Sequence, residues 1–404
     1  MADLPQESRE GINMNIPEAT YRFIAEHRND DVKKLALQSS RHPDVDMRIA
    51  LTQIEAWQHA ADKLPEWAAT EGIVFPRRIS MEQCSSQPTA LYKASLMGGK
   101  SFADLTGGFG IDCSYISRRF DKGYYIERNA ELCEIATHNF SLLGLNHIEV
   151  INNDSEKAVD NFERLDWIYL DPARRDGAGK KVVALDDCEP DIAALRTTLL
   201  AKAERIMVKC SPMLDITAAC RQLRTVSDIH IVSVNNECKE LLFIITAEEC
   251  SNPAIHCINI KGGGREEFTY RSGETHTNSY AATVGKYLYE PNASIQKAGC
   301  PASLCSAYGV EKLHRNSNLY TSDNLAGAFP GRIFEIATVS GFSKNEIKEC
   351  IGDLKKANIT VRNFPETVQQ LRKKLKLGDG GDIYLFATTL ADERKVLVKC
   401  RKLS

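Results

Sequence analysis

Between residue 14 and about residue 72, apolar residues recur three and four positions apart in NIPEATYRFIAEH, VKKLALQSS and DMRIALTQIEAWQHAADKLPEWAAT. That spacing gathers apolar side chains on one face of a helix, so three helical segments are expected. Pro43 and Asp44 separate the second from the third. From Ser101 to about Thr246 the texture changes to short apolar runs: SFADL, GYYIE, IEVIN, DWIYLD, RIMVKC, DIHIVSV and LLFIIT. These read as strands with helical stretches mostly between them, which implies a mainly parallel sheet covered on both faces. The last two runs follow each other closely, so an antiparallel edge is expected there. Residues 255 to 330 show no single period and contain the loop signal KGGGREE with several short β-like runs. Beyond them RIFEIATVS, KNEIKECIGDLKKA, NITVRNF, PETVQQLRKKLKL, DIYLFATTL and KVLVKC predict a small βαβαββ domain. The fold class is α/β, with an N-terminal helical region and a C-terminal α+β domain.

Composition adds limits. At 404 residues, 43% hydrophobic and 26% charged, the chain reads as a soluble globular protein of several domains. The stretch MADLPQESREGINMN has no apolar signal core, and no apolar run approaches membrane-spanning length. The 13 cysteines are scattered without a repeated CxxC pattern; Cys300 and Cys305 in CPASLC lack a companion pair. Thiols in a reducing cytoplasm are expected, and no metal. The net charge of −3 conceals an asymmetry, because residues 331–404 hold 15 Lys+Arg against 9 Asp+Glu.

Candidate chemistry begins at DLTGGFGID, residues 104–112, where a strand runs into three glycines. A glycine turn after the first strand lets a ligand lie against bare backbone at the carboxyl edge of the sheet. The GxGxxG fingerprint of dinucleotide sites fails here, since Cys113 stands at the third glycine position. Asp104 would repel a pyrophosphate. It suits a ligand with positive charge, and S-adenosylmethionine carries an ammonium and a sulfonium and no phosphate. Three further acids follow successive strands. Glu127 ends GYYIE, 17 residues after Gly110, where it can accept both hydroxyls of a ribose. Asp154 in INNDSEKA can accept from an adenine amine or cap a helix, and Asp171 ends DWIYLD.

DLTGGFGID, IERN, NND and LDPARRD, in this order, resemble the motifs of class I S-adenosylmethionine-dependent methyltransferases. The likeness is to a bacterial group with a C-terminal THUMP-like domain, and DLTGGFG with IERN is also similar to some ribosomal RNA guanine methyltransferases. YLYEPNASIQKAG resembles the group's ferredoxin-like middle piece and LRKKLKLGDGGDIYLF its THUMP-like end; together the likeness spans about residues 80–404. It implies a helical region over 1–97, a Rossmann-like methyltransferase domain over 98–250, a ferredoxin-like region over 251–330 and a THUMP-like domain over 331–404. It also implies a cofactor site of Asp104, Thr106, Gly108, Gly110, Glu127, Arg128, Asp154 and Asp171, and an RNA substrate, either rRNA or tRNA. Amine-modifying relatives have a second proline and an aromatic ring after the fourth-strand acid and proline. Here Asp171 and Pro172 match, and Ala173 and Arg174 depart from that pattern.

Arg174 and Arg175 have forked donors suited to a phosphate or carboxylate, or they pair with Asp176 in a solvated loop. DPAR, MVKCSPMLDI and NNECKELLFI faintly resemble 5-methyluridine RNA methyltransferases, which would make Cys210 a nucleophile and Glu237 a base. Ser211 stands where that pattern has Asn, and a small core residue is the alternative for Cys210. In EQCSSQPTALYKASL, Gln83, Ser85, Thr89 and Lys93 are expected near the cofactor mouth, or as a serine cap (Ser85 or Ser86) and a solvated lysine. His59 and His138 have no metal-ligand spacing, and Trp57 with Trp67 reads as core packing. In LRKKLKL, Leu371 and Leu375 share a helix face, leaving Arg372, Lys373, Lys374 and Lys376 for water or RNA phosphates. An NAD-dependent dehydrogenase and a non-catalytic RNA binder on the same fold are the other classes considered.

Overall fold

The computed structural model describes residues 16–76, 84–174, 185, 188–274 and 277–403, with Arg174 described by its backbone alone. It divides into two compact units, Met1–Ser227 with Leu242–Cys250, and Asp228–Leu241 with Ser251–Ser404.

In the first unit, helices Glu18–His27, Val32–Leu37, Met47–Lys63 and Pro65–Ala69 form where the three-and-four spacing places them. Phe23, Leu35, Ala50 and Ile54 are the buried stripe that binds them. Asp31 and Asp46 cap the second and third helices by accepting backbone N–H groups. Strands follow as β1 (Gly99–Asp104), β2 (Phe120–Glu127), β3 (Ile148–Asn152), β4 (Leu165–Leu170), β5 (Ala173–Arg174), β6 (Cys188–Glu189) and β7 (Ala203–Cys210); β8 (Val226–Val234) and β9 (Glu237–Thr246) each have residues in both units. Pairing is parallel through β7, β4, β1, β2 and β3. The chain starts at β1, moves outward to β2 and β3, and returns on the other side of β1 with β4 and β7. The order therefore reverses between β1 and β4, where such sheets open a crevice at the strands' carboxyl ends.

In the second unit, β10 (Ala254–Lys261) pairs parallel with β8 and antiparallel with β11 (Gly264–Arg271). Nine strands thus run in the order β11-β10-β8-β9-β7-β4-β1-β2-β3. The expected edge at β8 and β9 is corrected: β10 and β11 continue past it. Their hairpin turns at Gly262 and Gly263, both at positive φ (53° and 80°), a backbone that matches strand twist and that glycine adopts without strain. The KGGGREE signal marked the loop, but only pairing in space recruits these strands.

A second sheet contains β12 (Tyr287–Pro291), β13 (Glu311–Lys312), β14 (Tyr320–Ser322), β15 (Gly331–Ser340), β16 (Asn358–Arg362), β17 (Ile383–Thr389) and β18 (Lys395–Lys402). Its order is β13-β14-β12-β15-β18-β17-β16. From β15 onward the elements are strand, helix, strand, helix, strand, strand, matching the βαβαββ expectation. Helix Val368–Leu375 turns Leu371 and Leu375 onto Leu385, Ala387 and Leu397. On another core cluster, Phe386 meets Phe334 edge-on with centroids 4.9 Å apart. No helix among the described residues is long and apolar enough to cross a membrane.

Phe386→Ala should remove this buried ring and cost about 3–5 kcal/mol. Urea denaturation followed by circular dichroism checks it, and a loss below about 1 kcal/mol would show that the ring is not a core anchor.

Candidate active site

Four parallel strands deliver acids to one edge because side-chain direction and strand polarity repeat from strand to strand. Asp104 ends β1 and is 1% exposed. Its Oδ1 accepts from the Thr106 backbone N–H at 3.0 Å, and Thr106 Oγ1 accepts from the Asp171 N–H at 2.6 Å. The turn after β1 thereby holds the residue after β4.

The glycines of the turn have separate tasks. A Cβ on Gly107 would lie 2.3 Å from the Tyr125 ring, so close approach excludes any side chain. Gly108 and Gly110 have φ of 54° and 87°, and Gly110 opens helix Ile111–Ser117. Gly108 N–H donates to Glu127 Oε2 at 2.9 Å, while Glu127 Oε1 accepts from Asn129 N–H at 2.8 Å. Phe109 packs edge-on against Trp67 at 4.9 Å, tying the turn to the N-terminal helices. Trp57 instead donates to the Ala68 carbonyl.

Other expected residues are placed less centrally. Arg128 makes an exposed ion pair with Glu189 at 2.8 Å. Asp154 occupies the cap position of helix Ser155–Val159 without accepting a capping bond; it pairs with Lys157 at 2.7 Å, which holds its carboxyl below the usual range. His138 meets the Gly72 carbonyl, and His59 is exposed. Gln83, Arg175 and Asp176 lie outside the described residues, as does the Arg174 side chain.

Two lysines complete the electrostatics. Lys93 is not solvated: it is 0% exposed, 3.2 Å from Asp112 Oδ1, and donates to Ser85 Oγ at 3.1 Å. Ser85 and Tyr169 both donate to Asp112 Oδ2, at 2.8 and 2.7 Å. Burial alone would raise the Asp112 carboxyl, but Lys93, Lys209 and these donors bring it below the usual range. Lys209 pairs with Asp171. Among the described residues Asp104 has no such cation: burial pushes its carboxyl well up, the Thr106 N–H opposes this, and the charges of Asp112, Asp171 and Glu127 add to it. Sequence reading missed Asp112 and Lys209. Asp112 stood in the quoted turn, but nothing local connected it to Lys93, and Lys209 lies 38 residues from Asp171.

Asp171, Pro172, Leu185, Cys188, Lys209, Cys210, Ser211 and Leu214 line a small recess at this edge. Burial pushes the Cys210 thiol far up, with Cys188 and Asp171 adding to it, the opposite of what a nucleophilic thiolate requires. Glu237 is exposed and pairs with Lys239 at 2.7 Å. No group of three or more His, Cys, Asp or Glu among the described residues could hold a metal ion.

Comparison with known proteins decides the family. Residues 90–231 match the family profile described as conserved hypothetical protein 95, residues 287–330 a ferredoxin-like domain, and residues 331–402 a THUMP domain-like one. A crystal structure from Porphyromonas gingivalis W83, assigned as a methyltransferase, superposes with a TM-score of 0.87 at 35% identity, covering 96% of this chain and 98% of that one. The chain belongs to the methyltransferase family with a C-terminal THUMP-like domain. A conserved hypothetical protein of Streptococcus pyogenes (18% identity, 38% of this chain and 88% of that one, TM-score 0.28) and an rRNA methylase of Streptococcus thermophilus (14%, 43% and 99%, 0.31) match over less of the chain. Matches at that level say nothing of substrate. No curated protein matches.

In this methyltransferase the basic helix of the THUMP-like domain is partly committed. Arg372 pairs with Asp379 at 2.7 Å and Lys374 with Glu366 at 2.8 Å. Lys373 and Lys376 are exposed, Lys376 as the left-handed cap at φ 52°.

The raised Asp104 carboxyl makes a stability prediction whose sign follows from proton linkage. Above the ordinary carboxylate range the unfolded chain gives up this proton while the folded chain retains it. The acid's contribution to stability therefore falls as pH rises through that window. Asp104→Asn should be more stable than wild type at neutral pH, by on the order of 1–3 kcal/mol, and the gap should close on acidification. Urea melts across that pH range test this, and a variant less stable at neutral pH would refute it.

Proposed function

We propose that this methyltransferase uses S-adenosylmethionine and modifies a base of RNA. The observation that carries the cofactor reading is the charge pattern at the reversed edge. Asp112 and Asp171 each have a lysine, whereas Asp104 is buried beside a glycine turn with none among the described residues. Such a site is one cation short, which fits a ligand with an ammonium and a sulfonium and disfavours a pyrophosphate. Asp104 would hold the cationic end and Glu127 the ribose, with Gly108 the glycine of the turn whose missing side chain no ring fills. Bound there, the cofactor supplies an electrophilic methyl group.

The chain's own part is to hold the nucleophile in line and handle its proton. Asp171, fixed through its N–H on Thr106 and its carboxylate on Lys209, accepts a hydrogen bond from an attacking amine and orients the lone pair. The buried thiol of Cys210 favours this amine chemistry over covalent attack on a uracil ring. An RNA substrate is supported by the THUMP-like domain and by its basic charge balance. The exposed Lys373 and Lys376 add two contacts for phosphates, and the Arg174 backbone lies beside the recess lining at Pro172.

Calorimetry with S-adenosylhomocysteine and with NAD tests the cofactor: only the first should bind. Asp104→Ala and Glu127→Ala should each weaken it by about 1.5–3 kcal/mol. Unchanged affinity in both variants would place the cofactor elsewhere. Methyl transfer to RNA from labelled S-adenosylmethionine, with the product nucleoside identified by mass spectrometry, tests the substrate. Asp171→Asn should lose turnover while binding S-adenosylhomocysteine normally, and Cys210→Ala should keep turnover. Loss of transfer in Cys210→Ala with a 5-methyluridine product would instead establish the covalent route.

A further inference from the structure

Glu290, at the end of β12, is 3% exposed and receives two guanidinium groups. Arg332 on β15 donates from Nε at 2.8 Å and from Nη2 to the same carboxylate oxygen. Arg362, the last residue of β16, donates from Nη2 to the other oxygen at 2.7 Å. Arg332 also lies 5.4 Å from the Phe334 ring centroid, and Arg362 Nη1 donates to the Val361 carbonyl at 3.0 Å. The carboxylate is spent between the two forks and sealed from water, yet the arginine side chains remain 35% and 39% exposed.

A buried carboxylate needs one cation for neutrality. The second guanidinium leaves a net positive charge at the surface of a region already rich in Lys and Arg. Both guanidinium groups meet at one carboxylate, Arg332 through Nε and Nη2 and Arg362 through Nη2, so Arg332 Nη1 and Arg362 Nε keep donors that Glu290 does not use. Guanidinium pairs of this kind match the oxygens of a phosphate group. Two exposed arginines are more than a purely structural pair calls for, since burying ionic groups costs desolvation that apolar packing would avoid.

We propose that Arg332 and Arg362, preset by Glu290, form a phosphate-binding site that grips one phosphodiester of the RNA. The proposal rests on the RNA reading above. It is separable from the cofactor site, whose occupancy is read independently with S-adenosylhomocysteine. The probe is a fluorescent single-stranded oligouridylate, followed by anisotropy over a salt series, with inorganic phosphate as competitor.

Arg362→Gln should weaken oligouridylate binding about tenfold and reduce the slope of log affinity against log salt by roughly 0.7, one phosphate's share on single-stranded RNA. S-adenosylhomocysteine affinity should be unchanged in calorimetry. Arg332→Lys keeps the charge and loses the fork, so it should fall between wild type and Arg362→Gln. Because either arginine variant leaves Glu290 less compensated, Glu290→Gln is the control for mere destabilisation. It should keep the wild-type salt slope despite a lower melting temperature, because both guanidinium charges remain. Wild-type affinity and slope in both arginine variants would overturn the proposal, leaving a structural ion triad. Wild-type protein that binds inorganic phosphate and no oligouridylate would overturn the assignment to RNA.

Discussion

The desolvation of acids at the carboxyl edge of the first sheet is the constraint around which this protein is organised. Removing a carboxylate from water costs several kcal/mol unless a cation or donor compensates it. The fold meets that cost with a cation twice, with Lys93 at Asp112 and Lys209 at Asp171, while among the described residues Asp104 has the Thr106 N–H and no cation. A ligand that brings its own positive charge is what such an arrangement favours. The tight turn is fixed from within, since Gly107 lies against Tyr125 and Gly108 anchors Glu127.

The rest of the first unit supports this edge. Reversal of strand order at β1 and β4 opens the crevice. Trp67 wedges Phe109, so the N-terminal helices brace the turn instead of merely preceding it. The bond from the Asp171 N–H to Thr106 Oγ1 makes the turn after β1 and the residue after β4 one mechanical piece. Altering either side should move both.

The second unit uses charge differently. On the first sheet Asp112 is buried with one lysine, while Glu290 is buried with two half-exposed arginines. On helix Val368–Leu375 the basic run looked continuous, but Asp379 and Glu366 take two of its members. The unit's positive character is therefore concentrated where an acid positions it and diluted where an acid pairs with it.

Element order and strand polarity were legible in the chain because they rest on spacings of two, three and four residues, which are local. So were the turn at DLTGGFG and the acids after each strand, for the same reason. NITVRNF and PETVQQLRKKLKL announced β16 and the helix after it to within a few residues. Partner choice was not legible. For Lys93 a place near the site and a solvated surface both stayed open, because its period only says which helix face it shares and its burial depends on Asp112 arriving from another element. Asp104 and Asp171 look alike in sequence, each an acid at the end of a buried strand; Lys209, on β7, makes Asp171 an ion pair, whereas burial pushes the Asp104 carboxyl well up. Glu290 finds its arginines 42 and 72 residues away. Ionisation and binding depend on distances through space and on access of water, and only the tertiary structure decides those.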